Sequence, residues 1–327
     1  FFFFKLIIIV PMPTISIIIT VYNKAEYLPR CLESCLNQQE VPAGSYEVIA
    51  VDDGSTDESP AILGEYAAKW PFLRVITQSN AGLSVARNNG AAEAQGTYLW
   101  FVDADDHIAP DAVKTLLAQE PAMSDVVAFR AQTEGEQEER NLLPSGTYAG
   151  QVLLRDNLFE DCAPFYLFRT DFLRDWRLCF YPGICHEDAE FTPRMLYLAS
   201  EVSVCEKVLY HVFPDPGSIA RQPSVKRAYD LVTVAESLAG FRLQHAMGPG
   251  TMAAFSFRIS KALNNALSII VMFDSNEQKA FDSHLYSHRK LFKEMGGSMK
   301  YRLERGLFRL FPRHCVAVYR CMKGGRV

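Results

Sequence analysis

Along the first 110 residues the apolar positions alternate between two rhythms. Thr14–Val21 (TISIIITV) is a β-branched run bounded by Pro13 and Asn23, which predicts a buried strand. Between Ala25 and Asn37, Leu28, Cys31, Leu32, Cys35 and Leu36 recur at helical spacing. Tyr46–Val51 predicts a second strand, followed by a helix to about Lys69 and a strand at Leu73–Thr77. Ser84–Ala94 reads as helix and Thr97–Val102 as a fourth strand. Strand and helix in turn predict βαβ units: an α/β, Rossmann-like, mostly parallel central sheet with helices on both faces.

The pattern then becomes less regular. Val126–Ala131 predicts a strand, and Glu134–Glu139 an acidic turn before a hairpin. Cys179–Tyr181 and Val202–Tyr210 read as short strands flanking a helix from about Asp188 to Leu198. From Ser224 the spacing is helical to the end, broken at Gly248-Pro249-Gly250 and Gly296-Gly297. These shifts divide the chain into a body of residues 12–222 and a helical C-terminal region, 223–327. Phe1–Pro11 is too short and too interrupted to cross a membrane, and it lacks the marks of a signal peptide. It reads as an upstream extension, with Met12 the natural start. No other apolar run is long enough to span a bilayer.

Composition narrows the class. At 327 residues, 49% apolar and 12% aromatic, the chain can bury a large core without staples, and disordered or fibrous classes are excluded. The net charge of −5 disfavours a whole-molecule nucleic-acid footprint. It also hides an asymmetry. Residues 287–327 carry eleven Lys and Arg against two Glu, a formal +9, so the preceding 286 residues carry −14. Within that tail Arg302, Arg305 and Arg309 fall on one helical face, and Leu303, Leu307 and Leu310 on another, with Pro312 closing the helix before Arg313. A short basic amphipathic helix of this kind suits an anionic membrane surface, or else packs its apolar stripe on the body. The eight cysteines show no CxxC and no zinc spacing, which fits buried reduced thiols in a cytoplasmic protein.

Candidate chemistry lies at strand ends. In open α/β sheets ligands bind beyond the carboxyl ends of the strands. Three of the first four strands end in polar groups: Thr20-Val21-Tyr22-Asn23, Asp52-Asp53-Gly54-Ser55 and Asp103-Ala104-Asp105-Asp106. Five carboxylates converging on one crevice call for a divalent cation or raised pKa values. Asp103 and Asp105 flank one small residue and can approach one Mg²⁺ or Mn²⁺. Neither GxxxxGK[ST] nor GxGxxG is present. Diphosphate binding therefore falls to the metal and to donors such as the Asn80–Gly90 turn and helix, which carries Arg87. Trp70 and Trp176 read as core packing rather than sugar stacking.

The segments TISIIITVYNKAEYLPRCLESCLNQ, YEVIAVDDGSTDES, NAGLSVARNNGAAEAQGTYLWFVDADD and HEDAEFTPRML resemble family 2 glycosyltransferases with the GT-A fold. The resemblance runs from Pro13 to about Arg221 with the motifs in order. It implies an inverting enzyme, of the kind acting in bacterial capsule, lipopolysaccharide or exopolysaccharide synthesis, that takes a sugar from a nucleotide-diphosphate donor. UDP is the nucleotide it favours, Mg²⁺ or Mn²⁺ the cofactor, and a saccharide or lipid-linked saccharide the acceptor. By matching position, Thr20, Tyr22 and Asp53 would contact the nucleoside, with Asp53 facing the base, and Asp52 and Arg87 would lie in the donor site. Asp103 and Asp105 would bridge metal and diphosphate. Asp188, beside Glu187, would be the general base. Tyr210-His211 and the Pro216–Ile219 turn resemble the end of the catalytic domain, with His211 a candidate further metal ligand. The basic residue common before that turn is replaced here by Asp215-Pro216. A location on the inner face of the cytoplasmic membrane would follow from the basic tail. A sugar-1-phosphate nucleotidyltransferase and a non-catalytic nucleotide-sugar-binding protein remain the alternatives.

Overall fold

The computed structural model describes residues 13–118, 124–214 and 224–324. The extension at 1–11, the turn at 216–219 and the boundary at 222 therefore lie outside the described residues. Compactness divides the chain into two interleaved units. The first comprises the chain up to Gly146, Pro164–Arg177 and Ser203–Phe213. The second comprises Thr147–Ala163, Leu178–Val202 and the chain from Pro214 onward. This division differs from a single cut near residue 222, because two segments of the body group with the C-terminal helices.

The first unit is a mixed sheet flanked by helices. The strands in chain order are β1 (Ile15–Val21), β2 (Tyr46–Asp52), β3 (Leu73–Thr77), β4 (Tyr98–Asp103), β5 (His107–Ile108), β6 (Val126–Thr133), β7 (Glu139–Arg140), β8 (Gly146–Tyr148), β9 (Tyr166–Arg169) and β10 (Val202–Val212), of which β8 beyond Gly146 and the first residue of β10 fall in the second unit. The main path runs β3-β2-β1-β4-β9-β6-β10-β5. The first four strands are parallel, as their spacing predicts. The pairs β4–β9, β9–β6 and β10–β5 are antiparallel, and β7 folds back on β6 as the expected hairpin. Every residue of β1 is buried, which explains its unbroken β-branched run. No strand forms at Cys179–Tyr181.

Helices α1 (Leu28–Leu36), α2 (Ser59–Lys69) and α3 (Leu83–Glu93) connect the parallel strands, with α4 (Ala112–Leu117) and α6 (Thr170–Asp175) completing the unit. α1 opens on Pro29 and buries Leu28, Cys31, Leu32, Cys35 and Leu36, its predicted apolar face. α3 packs on β1 and β2 through Gly90, where an added Cβ would lie 2.4 Å from Ile18 Cγ2. Trp70 meets Phe72 edge to face, whereas Trp176 is 54% exposed and is not core.

The second unit is helical: α5 (Gly150–Asp156), α7 (Glu187–Leu198), α8 (Val225–Gln244), α9 (Pro249–Ile270), α10 (Ser275–Ser287), α11 (Met299–Leu310) and α12 (Cys315–Met322). α7 packs on α5 and α8, and α8 runs against α9. Of the break at Gly248-Pro249-Gly250, Gly248 caps α9 and Pro249 opens it, Gly296-Gly297 falls before α11, and α11 ends before Pro312. Among the described residues no helix is long and apolar enough to cross a membrane.

Candidate active site

Strand register aligns the site. Val21 stands beside Asp52, and Thr20 beside Asp103, so the parallel strands deliver their polar ends to one edge. The loops there are stitched together. Asn23 (φ 52°) donates its N–H to Ser55 Oγ, and its side-chain oxygen accepts the Thr56 N–H. The N–H of Lys24 reaches Ser59 Oγ, and that of Ala25 reaches Asp57 Oδ2. Tyr22 is left 42% exposed at the mouth of this shelf, while Thr20 is buried.

The two aspartates after β2 face inward. Asp52 is buried, and its Oδ1 accepts the Ser55 N–H. Asp53 is 3% exposed, and its carboxylate accepts Gln78 Nε2, Ala81 N–H and Gly82 N–H at 2.7–2.8 Å. It thus fixes the turn that starts α3, where Gly82 has φ +90°. In this structure both its oxygens take part in that turn. The turn in turn aims α3, whose buried Arg87 donates to Asp103 Oδ1 at 2.9 Å.

Asp103, Asp105 and Asp106 share the turn after β4. Lys24 Nζ meets Asp105 Oδ2 at 2.7 Å, and Arg30 Nη2 reaches the Asp105 carbonyl. Burial, and then the neighbouring Asp103 charge, raise the Asp105 carboxyl above its usual range. Asp106 is more deeply placed. Burial first, then Asp103 and Asp105, push it up to about 8. The Tyr210 hydroxyl donates to Asp106 Oδ2 at 2.7 Å and accepts the Asp103 N–H, while the Phe213 N–H donates to Asp106 Oδ1. The crowding of three carboxylates suits a divalent cation. Among the described residues no three His, Cys, Asp or Glu side chains gather as a ready-made metal site. Asp103 and Asp105 are the side chains of this turn that could hold such an ion, leaving its other positions to phosphate oxygens.

His211 is not part of that group. Successive strand residues point to opposite faces, and with Tyr210 turned to Asp103, His211 stacks on His107 with centroids 4.7 Å apart. Burial lowers its pKa. Lys24 is the residue that sequence reasoning missed, together with the contacts of Tyr210 to Asp103 and Asp106. The available signal was the place of Lys24 and Tyr210, each at the end of a strand entering the same sheet.

In the helical unit, Glu187 and Asp188 open α7, where carboxylates complement the helix dipole. Glu187 is buried and Asp188 is only half-buried, so Asp188 is the more accessible of the pair. The preceding His186 is driven to about 4, first by burial and then by Arg227. On α11 the packed side is Glu304 and Phe308, with Asn264 Nδ2 donating to Glu304 Oε1 at 2.7 Å. Met299, Leu303 and Leu310 remain exposed beside Arg302 and Arg309. The alternative of an apolar stripe packed on the body does not hold for Leu303 and Leu310.

Residues 16–177 match the family described as Glycosyl transferase family 2. The chain is 31% identical over 240 residues to EpsH of Bacillus subtilis (strain 168), named as a glycosyltransferase, covering 70% of this chain and 69% of EpsH. Two other bacterial relatives, each named as a glycosyltransferase, are matched over 63% and 64% of their length, just under two thirds. S. aureus TarS 1-349, in complex with UDP-GlcNAc, superposes with a TM-score of 0.75 at 21% identity, over 96% of this chain and 92% of TarS. The mannosyltransferase PcManGT from Pyrobaculum calidifontis, in complex with GDP-Man and Mn2+, gives 0.54 at 17% identity, over 94% and 87%. These superpositions establish the GT-A-like α/β fold with its helical C-terminal region. With the motifs of that family at the aligned strand ends and EpsH matched over more than two thirds of its length, the chain belongs to glycosyl transferase family 2.

Proposed function

We propose that the chain is an inverting glycosyltransferase that moves a sugar from a UDP-sugar to a saccharide or lipid-linked saccharide. The observation that carries this reading is the turn of three carboxylates, Asp103, Asp105 and Asp106, beside Arg87 and Lys24 at the carboxyl edge of the parallel strands. Tyr22 and Thr20 border the nucleoside side of the shelf, while Asp52 and Asp53 hold its floor. The UDP-GlcNAc complex of TarS and the Mn2+ complex of PcManGT support the donor and metal assignments.

The reaction joins the acceptor oxygen to the anomeric carbon as the bond from that carbon to the diphosphate breaks. Asp188 takes the acceptor hydroxyl proton, and the electron pair of the breaking bond leaves with UDP. Asp103 and Asp105 would hold Mg²⁺ or Mn²⁺, which when bound would offset the charge that grows on the diphosphate. Arg87 holds Asp103 in place, and Lys24 does the same for Asp105. The base comes from a separate segment because attack occurs on the face opposite the leaving group.

The exposed apolar and basic side chains of α11 support a peripheral seat on an anionic membrane, beside a lipid-linked acceptor. A panel of nucleotide sugars with Mn2+, read by thermal shift and UDP release, tests the main reading. A UDP-sugar that stabilises the protein and is turned over is the expected result. Release of pyrophosphate from UTP and a sugar phosphate would establish the nucleotidyltransferase instead, and binding without turnover a non-catalytic receptor.

A further inference from the structure

The loop Leu178–His186 enters α7 without helix or strand of its own, and Gly183 within it has φ +79°. Two side chains of α8 hold it. Lys226 Nζ donates to the Gly183 carbonyl at 2.6 Å and to Asp230 Oδ2 at 2.6 Å. The same Asp230 oxygen accepts the Cys185 N–H at 2.9 Å. Lys226 and Asp230 are four apart, so they share a helix face. Ser224 caps the first turn of α8 by accepting the Arg227 N–H. Asp230 is buried, whereas the Lys226 side chain is 59% exposed.

We infer that Lys226 and Asp230 are positioning residues for Asp188. They clamp one carbonyl and one amide of the irregular loop within five residues of that carboxylate, and so fix where α7 begins. A general base must sit within hydrogen-bond reach of the proton it takes, and a misplacement of about 1 Å can cost ~100-fold in rate. The clamp lies beyond the segment that matches the family, since α8 follows residue 177. The inference rests on the proposed role of Asp188.

The test compares Asp230→Asn, Lys226→Met, Lys226→Arg and Asp188→Asn in the full chain. Readouts are UDP release from UDP-glucose, UDP-galactose and UDP-GlcNAc, UDP affinity by calorimetry, and hydrogen exchange of the 183–188 amides. Asp230→Asn is expected to lower kcat by ~10–100-fold with KM for the donor held within about twofold. UDP affinity stays unchanged, exchange rises in that loop, and Lys226→Arg keeps most of the activity that Lys226→Met loses. In the Asp188→Asn background Asp230→Asn adds less than about a further twofold. Unchanged loop exchange, or the same loss of kcat in both backgrounds, overturns the inference alone. Full turnover by Asp188→Asn overturns the base assignment and the inference with it. Should Asp230→Asn not fold, Lys226→Met tests the same contact from an exposed position.

Discussion

Arg87 Nη2 donates to Asp103 Oδ1 at 2.9 Å, and the arginine is 1% exposed while Asp103 is 32% exposed. Arg87 is therefore committed to this carboxylate from inside the fold. Arg87→Leu should lower unfolding free energy by about 2–3 kcal/mol, below the usual cost of breaking a buried pair because Asp103 keeps some water. Urea denaturation measures it, with Arg87→Lys expected to fall between parent and variant. A change under about 0.5 kcal/mol would mean that the pair does not anchor α3.

Asp188→Asn should lower sugar transfer by about 10²–10⁴-fold, leaving a measurable residual rate, while UDP affinity stays within about twofold, since the substitution removes a proton acceptor but little volume. Parallel loss of binding and turnover would make the residue a holder of ligand instead.

Gly90→Ala should destabilise by about 1–3 kcal/mol, because a methyl group there meets Ile18 Cγ2 at 2.4 Å and Val51 Cγ2 at 3.1 Å. Pairing it with Ile18→Val should recover part of the loss. Thermal melting of the single and double variants gives the answer.

His186 is pushed down to about 4 by burial and then Arg227, whereas an unfolded-chain imidazole titrates near 6.5. Between those values the unfolded state binds the extra proton, so this residue's contribution to stability is complete above 6.5 and declines as pH falls toward 4. The melting temperature of His186→Gln should therefore drop less than that of the parent over this interval. Parallel curves would show that His186 titrates normally.

Leu303→Glu with Leu310→Glu should leave folding intact, as both side chains are exposed, yet reduce sedimentation with vesicles of phosphatidylglycerol. Neutral phosphatidylcholine vesicles should bind neither form. Equal binding of parent and double variant to the anionic vesicles would remove α11 as the contact.

The parallel strands were legible because buried parallel strands need continuous apolar runs, and β1, β2 and β4 supply them. Of the antiparallel half, β6 and β10 were legible as strands and β9 was not. β9 is four residues long, too short to show a period, and Phe180, read as strand, is buried by stacking on Phe191 of α7 with centroids 4.2 Å apart. Asp103 and Asp105 announced themselves by spacing. Tyr210 and Lys24 did not, since each meets its aspartate only through strand order across 107 and 81 residues. Asp53 was legible as important, but not as the carboxylate that shapes α3, because its partners Gln78, Ala81 and Gly82 are set by the fold of the next strand and turn.

The stitched loops after β1 and β2 carry a consequence for divergence. Asn23 bonds Ser55 and Thr56, Lys24 bonds Ser59 and Ala25 bonds Asp57, so the two loops are tied at four points. A one-residue insertion in either would put every later bond out of step, while substitutions that keep a donor opposite an acceptor would pass. Descendants of this sequence can vary the chemistry of the shelf far more readily than its length.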